Sequence, residues 1–298
     1  MNLSEANVPE LPEVETTVNG LAKKVLNRAF INVWSDWKKI VKKPKDFDLF
    51  KNELKGKKIK KVWRRAKNVI FDLSDDYSLL IHQKMTGHLM VGKWKIVNEK
   101  WRPEKHGPLE EKINTFLHLI LFLDNGQMIA LSDVRKFAKA ELWKTKELLS
   151  SKEFKDLGPE PLEKGFTFKK FKERLKNKRG KIKQVLMIPE IIAGIGNIYS
   201  NEVLWWAKIH PQKNVLQLRE RELRLLYNSV KKVLKRGIEL GGESFSDYRN
   251  VEGKKGSFDD ERKVYKREKE KCDRCNTTIK RIKFGGRSSF FCPNCQQL

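Results

Sequence analysis

Residues 9–25 read PELPEVETTVNGLAKKV. Pro9 and Pro12 fall where a helix begins and needs no backbone N–H, and Glu13 and Glu15 lie at the positive end of its dipole. Val14, Val18, Leu21 and Val25 then recur at roughly helical spacing. The pattern predicts a helix over 9–26 with one apolar face.

From residue 30 to about 145 the texture changes to short apolar runs between turn signals: VIFDL, SLLIH, HLMVG, FLHLILFLDNGQMIAL and AELW. These read as antiparallel strands of a sandwich or barrel. Asn98–Asn114 is polar and charged and reads as a surface insertion. After LGPEPL (157–162) the chain turns helical, through FKKFKERLKN, KIKQVLM and NIYSNEVLWWAKI to a long helix over roughly 217–240 that ends at Gly241-Gly242. Residues 241–258 are Gly-rich and irregular. The predicted class is α+β. A β-sandwich domain led by a helix spans 9–147, a linker 148–163, a helical domain 164–263 and a cysteine module 264–298. No internal repeat or low-complexity tract is seen.

Cys272-x2-Cys275 and Cys292-x2-Cys295 are two knuckles sixteen residues apart. Each offers two thiolates to one tetrahedral Zn²⁺, with a hairpin between them turning at Gly285-Gly286. The segment has few apolar residues, so the metal must supply much of its folding energy. Four protein ligands close the coordination sphere, which makes the site structural. Arg281, Lys283 and Arg287 flank the turn and place cations at the tip.

Lys plus Arg total 64 against 38 Asp plus Glu, a formal charge of +26, which calls for a polyanionic partner, with nucleic acid the usual one. The alternative is a proteome generally rich in lysine, and composition does not separate DNA from RNA. No run of about 18 apolar residues offers a membrane span. MNLSEANV lacks the basic start and apolar stretch of a secretory signal. All cysteines cluster at one end, which argues against a disulfide framework and for a reduced, cytoplasmic setting.

PELPEVET (9–16) resembles the amino-terminal signature of the formamidopyrimidine-DNA glycosylases, and the resemblance continues in order. RRAK (64–67) is similar to the family's lysine-bearing turn. Met85-Thr86-Gly87 and Arg135-Lys136-Phe137 resemble the pieces that enter the duplex. GPEPL (158–162) recurs, GIGNIYSNE (194–202) resembles the helix–two-turn–helix loop, and the zinc ribbon closes the chain. Within the superfamily, PELPEVET and, more weakly, Gly253-Lys254-Lys255-Gly256-Ser257-Phe258 resemble the oxidised-purine branch rather than the endonuclease VIII-like, oxidised-pyrimidine branch.

The resemblance implies a bifunctional glycosylase and abasic-site lyase of base excision repair. Such an enzyme excises 8-oxoguanine and formamidopyrimidines from double-stranded DNA as a nucleoid-associated monomer. Pro9 corresponds to the nucleophile, an α-amine that titrates well below a lysine side chain. Glu10 corresponds to the proton shuttle at the sugar, and Lys67 to a cation reaching the flanking phosphate. An extruded base leaves a hole, which Met85, Arg135 and Phe137, with Lys136 beside them, correspond to filling. Asn197 and Arg287 correspond to phosphate contacts, helped by Gly194 and Gly196. Read without the resemblance, Pro9 starts a helix, Met85 and Phe137 are core, and Lys67 is a surface lysine. Glu13 either shapes the site or meets the helix dipole, and Trp205-Trp206 reads as core. Two departures stand out. Phe116-Leu117-His118 replaces a His-x-His pair, and residues 1–8 precede Pro9, so that its nitrogen is an amide. A non-catalytic damaged-DNA-binding protein is therefore the competing reading. A zinc-ribbon RNA-binding protein would explain the charge and cysteines but not PELPEVET or RRAK.

Overall fold

The computed structural model describes residues 8–244 and 247–298. They divide into two compact units: the residues up to Lys155 together with Gly241–Ser257, and Asp156–Leu240 together with Phe258–Leu298. The sequence texture placed 241–257 in the helical domain; in the structure this segment belongs to the β unit.

The β unit begins with α1 (Leu11–Val25). Thr16, Thr17, Val18, Asn19 and Gly20 are mediocre helix formers that cost about 0.5–1 kcal/mol each relative to alanine. Burial decides the outcome, because Leu11, Val14, Val18, Leu21 and Val25 are all buried at about 1.5–3 kcal/mol per side chain. The chain continues through β1 (Phe30–Trp34), β2 (Val41–Lys43), α2 (Phe47–Leu54), β3 (Ile59–Arg65), β4 (Asn68–Leu73), β5 (Tyr77–His82) and β6 (His88–Gly92). It then forms β7 (Trp94–Val97), β8 (Lys100–Pro103), β9 (Leu117–Leu123), β10 (Met128–Ser132), β11 (Lys139–Lys144), α3 (Thr145–Ser150) and α4 (Lys152–Lys155).

Two sheets of order β1-β9-β10-β6 and β2-β11-β5-β4-β3 enclose the main core, into which α1 packs. Among the described residues the pairings within these sheets are antiparallel except β2 with β11, which are parallel. The apolar runs are nearly continuous rather than alternating because both outer faces are also covered. Leu148 and Phe154, from α3 and α4, pack on Ile70 and Leu80 outside the five-stranded sheet. Outside the four-stranded sheet, Trp94, Trp101 and Leu109 pack on Met90, Leu117 and Ile120. The polar segment 98–114 is therefore more than a surface insertion. With β7 it forms a hairpin and two short 3-10 turns that seal a second core.

The other unit contains α5 (Phe168–Leu175), α6 (Ile182–Leu186), α7 (Asn197–Ala207), α8 (Glu220–Glu239) and the hairpin β12 (Lys280–Phe284) with β13 (Arg287–Phe291). Leu226, Val230, Val233 and Leu234 give α8 the apolar stripe that packs it against α7. Gly285 and Gly286 form the hairpin turn, with φ of 56° and 70°. The Glu202 carboxylate accepts backbone N–H bonds from Lys263, Val264 and Tyr265 at 2.8–3.0 Å and so fixes the approach to the ribbon.

Candidate functional site

In the β unit, Pro9 and Glu10 are buried at the N-terminal end of α1. Glu10 is the N-cap, with an extended backbone. Its N–H donates to Glu13 Oε2 at 2.8 Å, while Glu13 Oε1 accepts from the N–H of Glu243 at 2.7 Å. Tyr248 Oη donates to the Glu13 carbonyl at 2.9 Å, and burial pushes its phenol pKa up, which keeps that donor protonated. Glu13 thus does more than meet the helix dipole. It staples the segment after Gly241 to the helix start, a role the residue pattern left open.

Lys67 occupies the two-residue turn between β3 and β4, half-buried, next to Ala66 in the left-handed region. Arg64 Nε donates to Glu15 Oε2 at 2.6 Å, and its Nη1 to the Ala66 carbonyl at 2.9 Å. This ion pair pins the RRAK turn against α1, so Arg64 has a structural task. His82, paired with Asn68 across β5 and β4, is half-buried among cations. Desolvation first, then Lys84, Lys67 and Lys139, push its pKa down to about 3. It is a neutral ring, with Nδ1 accepting from the Lys84 N–H at 2.9 Å.

Met85 lies half-buried in the turn that joins β5 to β6, closed by Gly87 N–H donating to the Gln83 carbonyl at 3.1 Å. A Cβ on Gly87 would fall 2.4 Å from that oxygen, so the closure requires glycine there. Arg135, Lys136 and Phe137 form the turn between β10 and β11. Phe137 is 48% exposed, the Arg135 guanidinium stacks 4.5 Å from its ring centroid, and Lys136 is exposed with φ 55°. Phe137 is therefore not core. His118, the remnant of the His-x-His pair, is buried, with Nδ1 2.8 Å from Asp36 Oδ1.

In the helical unit, Asn197 is the first residue of α7, after Gly196 at the N-cap. Gly194 has φ 89°. Lys183, which is 1% exposed, donates through Nζ to Asn197 Oδ1 at 2.8 Å, the Ser288 carbonyl at 2.7 Å and Ser289 Oγ at 2.7 Å. With its oxygen engaged by Lys183, the Asn197 amide offers Nδ2 as its donor. Sequence reasoning missed Lys183, since one more lysine in so basic a chain carries no signal. Arg287 is exposed at the hairpin turn. Arg281, by contrast, bonds Ser288 Oγ and Glu268. Trp205 is buried as expected, its Nε1 donating to Cys272 Sγ at 3.4 Å, while Trp206 is half-buried.

The Sγ atoms of Cys272, Cys275, Cys292 and Cys295 all lie within 4.8 Å of one another. Tetrahedral Zn²⁺ with Zn–S bonds of about 2.3 Å needs sulfur separations of about 3.8 Å, so the donor set fits one zinc ion. The Trp205 N–H and the Cys295 N–H, 3.4 Å from Cys292 Sγ, give the sulfurs outer donors. Among the described residues no helix is long and apolar enough to cross a membrane.

Three family models match in order: the formamidopyrimidine-DNA glycosylase N-terminal domain over residues 8–140, the H2TH domain of the same enzymes over 157–249, and the zinc finger found in FPG and IleRS over 269–298. The formamidopyrimidine-DNA glycosylase of Lactococcus lactis subsp. cremoris is 38% identical, covering 97% of this chain and all of the relative. That of Desulforamulus reducens is 36% identical over 97% of this chain and 99% of its own length. Among solved structures, Lactococcus lactis Fpg in complex with DNA containing an abasic site is similar with a TM-score of 0.85 at 37% identity, over 97% of this chain and 100% of that one. A MutM in complex with carbocyclic 8-oxo-G containing DNA gives 0.84 at 38% identity, with the same coverage. The chain belongs to the formamidopyrimidine-DNA glycosylase family.

Proposed function

We propose that this protein excises oxidised purines from double-stranded DNA and then cuts the strand at the abasic site, with Pro9 as nucleophile. The observation that carries the reading is the start of α1. Pro9 and Glu10 are buried there side by side, held by Glu13, and the match to the N-terminal family model begins at residue 8. Residues 1–7 precede everything the chain shares with that model. Related structures hold DNA with an abasic site, carbocyclic 8-oxo-G or Fapy-dG, which supports oxidised purines as substrates.

The chemistry sets a condition. A proline nitrogen inside a peptide is an amide with no basic lone pair, so the working form begins at Pro9. Its secondary amine then attacks C1′ of the extruded nucleotide. As the N–C1′ bond forms, the glycosidic bond breaks and the base leaves with its electron pair, protonated from solvent, while the amine gives up its own proton to the Glu10 carboxylate. Glu10 protonates the sugar ring oxygen, opening the ring to an iminium. The iminium acidifies the C2′ proton; its loss expels the 3′ phosphate, and a second elimination expels the 5′ phosphate. Lys67 holds the phosphate flanking the lesion. Met85, Arg135, Lys136 and Phe137 occupy the space of the extruded nucleotide. Asn197, through the amide that Lys183 orients, and Arg287 grip the backbone.

The test uses two proteins, one beginning at Met1 and one at Pro9, each given a duplex containing 8-oxoguanine together with borohydride, which reduces the iminium to a stable adduct. Trapping and strand cutting are expected only from the second. If the protein that retains residues 1–8 traps equally well, Pro9 is not the nucleophile. If neither traps but both bind the damaged duplex, the protein is a non-catalytic binder.

A further inference from the structure

The turn that carries Arg135, Lys136 and Phe137 is built around a carboxylate to which sequence reasoning assigned no role. Asp133, directly after β10, is fully buried. Its Oδ2 accepts the N–H groups of Phe137 at 2.7 Å and Ala138 at 2.8 Å. Its Oδ1 accepts the N–H of Arg135 at 3.2 Å and the hydroxyl of Thr86. Thr86, 4% exposed, in turn accepts from the Arg135 N–H at 3.1 Å. The Lys136 N–H closes the turn onto the Asp133 carbonyl at 3.2 Å.

A buried carboxylate is costly unless donors surround it, and here the donors are the turn's own amides and one hydroxyl from the turn that bears Met85. Satisfying the charge therefore fixes both backbones at once. The side chains the two turns present are left outside this network: Met85 half-buried, Lys136 and Phe137 exposed, Arg135 stacked on the Phe137 ring. A half-exposed aromatic ring on a turn whose amides are tied to a buried carboxylate suits insertion between bases.

We propose that Asp133, acting with Thr86, is a positioning residue for the opening of the duplex, locking the Met85 turn and the Arg135–Phe137 turn into one wedge. The proposal rests on the void-filling role given to those residues above. Asp133 touches no reacting atom, and its effect is confined to substrates whose bases must be unstacked.

The experiment compares the Pro9-initiated protein with Asp133→Asn, Thr86→Val, Thr86→Ser and Phe137→Ala. Asp133→Asn keeps the shape but turns one acceptor into a donor facing N–H groups. Single-turnover excision of 8-oxoguanine from a duplex should fall by about 10- to 100-fold, the scale of a misplaced positioning group. Cutting of a single-stranded abasic oligonucleotide, where nothing is unstacked, should fall at least about tenfold less. Phe137→Ala should show the same asymmetry, Thr86→Val a smaller one, and Thr86→Ser, which retains the hydroxyl, close to none. Equal losses on both substrates, or unchanged duplex excision in Asp133→Asn, would overturn the proposal. If Asp133→Asn does not fold, the contrast between Thr86→Val and Thr86→Ser decides it in the same way. Fluorescence of 2-aminopurine beside the lesion reports unstacking without chemistry. Should the parent protein prove inert, the catalytic reading fails while this signal still decides the role of Asp133: loss in the variant supports it and retention refutes it. A parent that leaves the duplex stacked refutes both.

Discussion

Replacing Lys183 by methionine tests how the helical unit presents Asn197. The change keeps the length of the stem, removes the ammonium and leaves three acceptors facing an apolar end: Asn197 Oδ1, the Ser288 carbonyl and Ser289 Oγ. Hydrogen bonds from a charged donor contribute about 1.5–3 kcal/mol each, a gross loss of about 5–9 kcal/mol. Against this, an ammonium no longer has to be buried, which returns several kcal/mol. Asn197 is only half-buried, so its oxygen can turn to water, whereas the two serine acceptors are buried. The balance is a net destabilisation of about 2–4 kcal/mol, the range expected when one partner of a buried polar cluster is removed. Denaturant unfolding followed by amide hydrogen exchange in the helical unit measures it. Lys183→Met should also weaken binding to an abasic-site duplex, since the Asn197 amide is no longer held through its oxygen. Asn197→Ala should weaken binding with a much smaller loss of stability. A Lys183→Met protein within about 0.5 kcal/mol of the parent, the scatter of neutral surface changes, would show that the cluster contributes nothing net and that Asn197 orients without it.

Purified under reducing conditions, the protein should contain one zinc ion per chain; chelation should loosen the β12–β13 hairpin while the β unit stays folded, and metal analysis with hydrogen exchange checks both. Arg287→Ala should reduce the slope of log affinity against log salt by roughly one unit, with no change in lesion preference, if Arg287 contacts a phosphate; an unchanged slope refutes the contact. Arg249, 3% exposed, binds Glu111 through Nε and Nη2 at 2.6–2.7 Å, and this bond holds the Glu111 carboxyl below its usual pKa. A depressed carboxylate stabilises the fold above its unfolded pKa and loses that contribution as pH falls through the folded value. Glu111→Gln should therefore cost stability at pH 7, about 1 kcal/mol once solvent screening of the part-exposed carboxylate is allowed for, and the difference from the parent should shrink as the pH falls below the usual carboxylate range.

What could be read from the sequence was what neighbours in sequence encode. The paired CxxC knuckles needed only local spacing, and the strand runs needed only apolar density, which stayed high because both faces of each sheet are covered. The segment 98–114 defeated the same reading. Its Trp101 and Leu109 are too sparse among charges to show a period, yet with Trp94 they seal the outer face of β9 and β10. The place of 241–257 was equally hidden. Its tether is a bond between Glu243 and Glu13, 230 residues apart, supported by Asn114, whose Nδ2 donates to the Gly253 carbonyl at 3.0 Å. A pairing at that separation leaves no pattern in either partner. The same holds for the residues that organise the candidate site. Glu13, Asp133 and Lys183 are charged letters in a chain that is 34% charged, and composition assigns such letters to the surface. Each is buried instead, and a buried charge must gather its donors or acceptors from whatever lies nearby. Here those partners are the start of α1, the Arg135–Phe137 turn and the first residue of α7. The motifs name residues able to do chemistry, whereas the unremarked charges beneath them determine where those residues are held.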